Sequence, residues 1–212
     1  MTPRTVRETV DGLAGRIECA VDRPETAPLG LAVVCHPHPQ FGGTLDNKVV
    51  QTIARACLGL GWASVRFNFR GVGASEGAWD EGRGEVDDAL AVIAAWRSRL
   101  EFAAVPLVLA GFSFGGYVAV AASHRLAPEV KARRLVLVGP STEKQRVEDV
   151  PADTLVIHGE SDEVVPLAAT LAWARPQNLP IIVFPGVGHF FHGQLALLQK
   201  IIVRELRDLD AV

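Results

Sequence analysis

Gly111-Phe112-Ser113-Phe114-Gly115-Gly116 follows the apolar run Pro106-Leu107-Val108-Leu109-Ala110 and precedes the helix-compatible Tyr117-Val118-Ala119-Val120-Ala121-Ala122. A short apolar run bounded by proline and glycine reads as a buried strand, and the segment beyond reads as a helix. The serine therefore falls where one becomes the other. Glycines on both sides of it remove the Cβ atoms that so tight a turn would drive into its neighbours. A serine presented in this way is a candidate nucleophile. The same punctuation settles a rival reading: residues 102–123 carry no formal charge and reach membrane-spanning length, but Pro106 and the glycines divide them into strand, turn and helix.

Outward from this turn the alternation repeats. Strand-like runs at 29–35, 63–67, 107–110, 135–138, 155–157 and 181–184 are separated by helix-like intervals, the pattern of an α/β protein with a parallel sheet. Val86, Ala89, Leu90, Ile93 and Trp96, running to Arg97, mark one amphipathic helix. Leu195, Leu198, Ile202, Leu206 and Leu209 mark the last one. A third is expected between 50 and 60, stopped by Gly59 or Gly61. Ahead of the alternation, 5–10 and 13–20 read as a hairpin about an Asp11-Gly12 turn. No internal repeat, low-complexity tract or linker interrupts the 212 residues, so a single domain over 1–212 is expected.

Hydrophobic residues make up 49% of the chain and charged residues 21%, with a formal net charge of -3. That is the composition of a water-soluble globule, and it lacks the basic surface that nucleic acid requires. Cys19, Cys35 and Cys57 are odd in number, widely spaced and without a C-x-x-C pair, which argues against a disulfide framework and for buried thiols in a reducing compartment. The opening Met-Thr-Pro-Arg-Thr-Val-Arg-Glu has no apolar leader segment, so a cytoplasmic protein with no membrane partner is expected.

In an open parallel sheet, functional groups gather beyond the carboxyl ends of the strands. Four such exits are unusual: 33–43, with His36-Pro37-His38-Pro39-Gln40; the Ser113 turn; His158-Gly159-Glu160-Ser161-Asp162; and Gly186-Val187-Gly188-His189. Two imidazoles at the spacing of His36 and His38, with His158 and Asp162 at neighbouring exits, raise the alternative of a metal-dependent hydrolase. Against it stand two prolines that restrict the loop and the lack of any other ligand-spaced pair. His158 otherwise reads as a packed strand-end residue, His124 beside Arg125 as a helix-surface residue, and Trp79, in a glycine-rich loop, as a candidate border of the site.

G-x-S-x-G, then H-G-x-x-D-x-x-V-P from His158 to Pro166, then G-x-x-H ending at His189, together resemble the α/β-hydrolase superfamily over almost the whole chain. The resemblance places the chain with small capless serine hydrolases of the esterase and dienelactone-hydrolase type. It implies a mostly parallel twisted sheet of about eight strands with helices on both faces. Carried over residue by residue, it makes Ser113 the nucleophile, His189 the general base and Asp162 the carboxylate that orients the imidazole. Glu160 competes with Asp162, and Val165-Pro166 favours Asp162. His192, expected to begin the last helix, competes with His189, and the glycines at 186 and 188 favour His189.

The family's oxyanion hole takes one backbone N–H from the residue after the nucleophile, here Phe114, and another from the loop after the third strand. Both prolines of His36-Pro37-His38-Pro39 lack an N–H, leaving His38 as the expected second donor and Gln40 as the next choice. The loop departs from the H-G-G-G type. A dinucleotide reading of Arg70-Gly71-Val72-Gly73-Ala74-Ser75 fails, because the third glycine is displaced to Gly77 and no uninterrupted helix follows.

Many members of the superfamily insert a helical cap after the sixth strand. Here that connection, 140–153, has room for one or two helical turns at most. An open site, broad selectivity and no interfacial activation are therefore expected. The resemblance implies a small-molecule ester, thioester or amide substrate and no cofactor or metal. A non-catalytic binding protein on the same fold is the reading from another class.

Overall fold

Short runs of aliphatic residues, buried on both faces, make the centre of the sheet: Leu31–Cys35 (β3), Ala63–Phe67 (β4) and Leu107–Phe112 (β5) are buried at every position. Strands with this composition persist only where helices cover both faces. The computed structural model describes residues 5–210. Val6–Gly12 (β1), Gly15–Asp22 (β2), Arg134–Val138 (β6), Leu155–Gly159 (β7) and Ile182–Phe184 (β8) complete an eight-stranded sheet in the order β1-β2-β4-β3-β5-β6-β7-β8. β1 and β2, and β2 and β4, pair antiparallel; every other pair is parallel.

Lys48–Gly59 (α1) and Leu195–Leu206 (α5) cover one face, where Ile53, Trp62, Phe112, Phe191, Leu198 and Ile202 are buried. Arg83–Arg97 (α2) and Phe114–Arg125 (α3) cover the other, over Phe67, Phe69, Trp96, Phe102 and Phe114. Leu167–Ala174 (α4) joins β7 to β8. The Asn47 side chain caps α1 through the N–H of Val49 at 2.9 Å, and beyond its last turn Gly61 takes φ +79°.

Two expectations shift. The hairpin turns at Leu13-Ala14, not at Asp11-Gly12, because Gly12 and Gly15 pair across the strands and Gly15 adopts φ +116°. In this register Val10 faces Ile17 and both side chains are buried, so the core chooses the turn. The last helix starts at Leu195, which leaves His192 in the preceding loop, and past Leu206 it tightens into a 3-10 turn that buries Leu209. No helix crosses between β6 and β7: 139–154 runs as turns and irregular backbone, and no lid stands over the sheet.

Cys19, Cys35 and Cys57 are free and buried, and burial raises all three thiols, Cys19 and Cys57 to about 12. The loop after β4 is structural. Arg70 grips both oxygens of the buried Asp88 carboxylate at 2.8 to 3.1 Å, in space that a Cβ on Gly84 would fill.

Candidate active site

Ser113 stands between β5 and α3, as the N-cap of α3, with φ +56° and ψ -121°, a strained conformation for a residue with a side chain. Its neighbours hold it there. Phe112 is sunk into the core under α1 and α5, and Phe114 into the core under α2 and α3, so the turn is anchored through both faces of the sheet. Each buried aromatic contributes roughly 2–3 kcal/mol, enough to offset a backbone strain of about 1–3 kcal/mol. The glycines supply the space. A Cβ on Gly111 would meet the Gly115 carbonyl oxygen at 2.0 Å, and one on Gly115 would meet that of Cys35 at 2.2 Å. The Ser113 N–H donates to the Val138 carbonyl at 2.9 Å, tying the turn to the end of β6.

At the exits of β7 and β8, Asp162 and His189 come together: Nδ1 of His189 lies 2.7 Å from Oδ2 of Asp162, and both side chains are buried. The other carboxylate oxygen accepts the N–H groups of Val164 and Val165 at 2.9 and 2.7 Å. Burial alone would raise the Asp162 carboxyl, but the bonds from His189 and these amides outweigh it and hold it below its usual value. With Nδ1–H committed to an ionised carboxylate, the imidazole keeps its lone pair on Nε2, as a general base requires. The Phe112 ring packs against it with centroids 4.7 Å apart. No hydrogen bond joins Ser113 Oγ to the imidazole among the described residues, a separation that substrate closes in many such sites.

The competing residues are engaged elsewhere. Glu160 is exposed and accepts the Gly186 N–H at 2.8 Å; His192 is exposed, with its ring beside Phe190. His158 donates through Nε2 to the Val165 carbonyl at 2.9 Å, with Asp162 Oδ2 at 3.4 Å, and its buried Nδ1 has no partner. Burial holds this imidazole below its usual value. His124 bonds to the Asp149 carbonyl at 2.8 Å, fastening α3 to the connection after β6.

His36 and His38 diverge. His36 is fully buried, its Nδ1–H donating to the Pro37 carbonyl at 2.6 Å and its Nε2 accepting the Phe69 N–H at 3.1 Å. Both nitrogens are occupied, so His36 offers no lone pair to a metal. Among the described residues no group of three His, Cys, Asp or Glu side chains is placed to hold one. The His38 ring lies against Phe41, Trp79 and Phe114, with centroids 4.5 to 5.0 Å away, so Trp79 does border the site. The Gln40 N–H is used by His38 Nδ1 at 3.2 Å, whereas the backbone N–H groups of His38 and Phe114 have no acceptor among the described residues. Gly43 lets this loop close on itself, since a Cβ there would strike the Pro37 carbonyl at 1.9 Å.

Ser113, His38 and His189 line one open cleft of about 330 Å³, together with Pro37, Phe41, Asn47, Lys144, Val164 and Phe190. Sequence reasoning did not single out Phe41, Asn47, Lys144, Val164 or Phe190. The pair Phe190-Phe191 carried a signal in hindsight: Phe191 is fully buried at φ +53° and anchors the chain two residues beyond His189.

A sequence model of the α/β-hydrolase fold matches residues 33–153. An uncharacterized protein of Rickettsia prowazekii is 32% identical over 161 residues, covering 73% of this chain. The chain spans 66% of that relative's length, just under two thirds. A lidless α/β serine hydrolase from Xanthomonas campestris superimposes with a TM-score of 0.89 at 36% identity, over 99% of this chain and 96% of that one. An α/β serine hydrolase homologue from Coxiella burnetii does so with a TM-score of 0.87 at 36% identity, over 95% of this chain and 97% of the other.

Proposed function

Because the chain belongs to the α/β-hydrolase family, we propose that it is a serine hydrolase that cleaves carboxylic esters through an acyl-Ser113 intermediate. Ser113 Oγ attacks the ester carbonyl while His189 Nε2 takes its proton, and Asp162 holds the imidazole in the required tautomer and steadies its positive charge. The tetrahedral oxyanion is received by the N–H groups of Phe114 and His38. Collapse expels the alcohol with the proton from His189, and water repeats the sequence to free the acid. Thioesters and small amides are open to the same steps. The route requires no metal or cofactor.

The observation that carries this reading is the 2.7 Å bond between His189 Nδ1 and a carboxylate saturated by two backbone amides, beside the cleft that also holds Ser113. An uncovered cleft of about 330 Å³ fits small esters of varied shape, with no rate jump when substrate forms micelles. The test is covalent: a serine-directed fluorophosphonate labels the wild-type protein and leaves Ser113→Ala unlabelled, and ester turnover disappears with the label. Labelling of Ser113→Ala at the wild-type rate would refute the assignment.

A further inference from the structure

Lys144 stands at the active-site cleft with no ion-pair partner among the described residues. It is exposed, no carboxylate lies within 4.0 Å of it among the described residues, and its Nζ sits 5.9 Å from the centre of the Phe41 ring. A solvated lysine on a free loop would mean little, but the backbone beneath this one is fixed. The Ser141 N–H donates to the carbonyl of Ser113 itself at 3.2 Å, Thr142 Oγ1 meets Thr170 Oγ1 at 3.0 Å, and Gln145 N–H returns to the Ser141 carbonyl at 3.4 Å. The turn that carries the ammonium is thus registered to the serine.

The surrounding chemistry is one-sided. Phe41, Phe190, Val164 and Pro37 give the cleft apolar walls, and Lys144 is its one permanently charged lining residue among those described. Phe41 is 79% exposed and Phe190 41%, so much of that apolar surface awaits an occupant. The acidic Glu163 is not among the residues lining this cleft; it lines an adjoining groove, with Pro185, Gly186, Val187 and Gly188, that shares His189 and Phe190 with it. Lys144 also acts on the site electrostatically: partial burial first, and then this ammonium, hold His38 below its usual value.

We propose that Lys144 determines specificity, pairing with a carboxylate carried by the substrate, so that the enzyme prefers half-esters of dicarboxylic acids or esters of carboxylated alcohols over neutral esters of equal size. The apolar walls take the intervening carbon chain, and the ammonium takes the charge at its end. This rests on the ester-hydrolase reading above and deepens it.

Matched pairs of esters test it. Para-nitrophenyl hydrogen glutarate against para-nitrophenyl valerate places the carboxylate on the acyl side; carboxylated nitrophenyl butyrate against nitrophenyl butyrate places it on the leaving group. In at least one arm, the anionic-to-neutral ratio of kcat/KM should fall about threefold to fivefold in Lys144→Gln, mainly through KM, as expected for a solvent-exposed pair. It should fall further in Lys144→Glu and recover in Lys144→Arg. Added salt should shrink the ratio in the wild type and leave it flat in Lys144→Gln. The arm that responds identifies the side of the ester that Lys144 reads. If neutral esters are turned over and neither ratio moves in Lys144→Gln, the role of Lys144 is overturned and the hydrolase reading stands. If no ester is turned over and Ser113 resists the fluorophosphonate, both are overturned.

Discussion

His189 Nδ1 and Asp162 Oδ2 lie 2.7 Å apart, and the second oxygen of that carboxylate is held by two backbone N–H groups. This division of labour makes Asp162→Asn informative. The amide oxygen replaces the one held by Val164 and Val165, which turns the NH2 toward His189. Facing a donor, Nδ1 must present its lone pair, and the imidazole proton moves to Nε2, where a base is needed. We expect kcat to fall by about 10³–10⁴-fold with the fold retained. A loss under tenfold in a protein with an unchanged circular dichroism spectrum would rule out this role for Asp162.

The two flanking glycines should be the least replaceable residues of the Ser113 turn. In Gly115→Ala the new Cβ falls 2.2 Å from the Cys35 carbonyl oxygen, backbone that cannot swing aside. A stability loss on the order of 3 kcal/mol or more is expected. Gly59 is the control: it ends α1 with nothing within 4 Å of its Cβ position, so Gly59→Ala should be neutral or stabilising by up to about 1 kcal/mol. Thermal midpoints distinguish the two, at roughly 2–4 °C per kcal/mol for a chain of this size.

Much of this architecture can be read from the chain, because strand exits are written locally. Apolar runs end at Cys35, Phe112, Gly159 and Phe184, and the unusual residues follow each at once. The sheet then brings Ser113, Asp162 and His189 to its carboxyl edge without further instruction. What stayed hidden depends on distant partners. His36 and His38 look equivalent as H-x-H, yet the Phe69 N–H, 33 residues along the chain, takes His36 into the core and leaves His38 at the cleft. Lys144 sits in a charged stretch, 143–149, that has no helical or strand period, and it is the bond from the Ser141 N–H, just ahead of that stretch, to the Ser113 carbonyl that registers the turn to the site. The hairpin was misread for a related reason: Asp11-Gly12 is a good local turn signal, and burial of Val10 against Ile17 overrides it.

Acid should destabilise the protein through His36 well before its carboxylates protonate. Burial lowers this imidazole from 6.5 to about 4, and a proton on Nε2 would also face the Phe69 N–H that this nitrogen now accepts. A native value below the unfolded one means that the unfolded chain binds the proton first. Stability is then complete above about 6.5 and is lost as the pH falls toward about 4, by on the order of 3 kcal/mol. His158, also lowered by burial, adds in the same direction; Asp162 contributes only below its ordinary value of 3.8. Urea midpoints measured across this interval should slope more steeply in the wild type than in His36→Gln. Equal slopes would show that His36 does not titrate with folding.

The proposed second oxyanion donor can be removed with little change of backbone, because His38 already has φ -52°, close to the angle that a proline ring imposes. His38→Pro eliminates the backbone N–H, and with it the imidazole that lies against Trp79 and Phe114. His38→Ala eliminates only the imidazole. If the N–H receives the developing charge, the proline variant should lose about 10²-fold or more in kcat relative to the alanine variant, with KM for the same ester changing little. The loss belongs in kcat because the bond strengthens as the carbonyl oxygen becomes an anion. Equal kcat values in two well-folded variants would transfer the second donor to another amide of the loop. Both variants free the Gln40 N–H, which His38 Nδ1 accepts in the wild type, so that amide is equally available in each and does not bias the comparison.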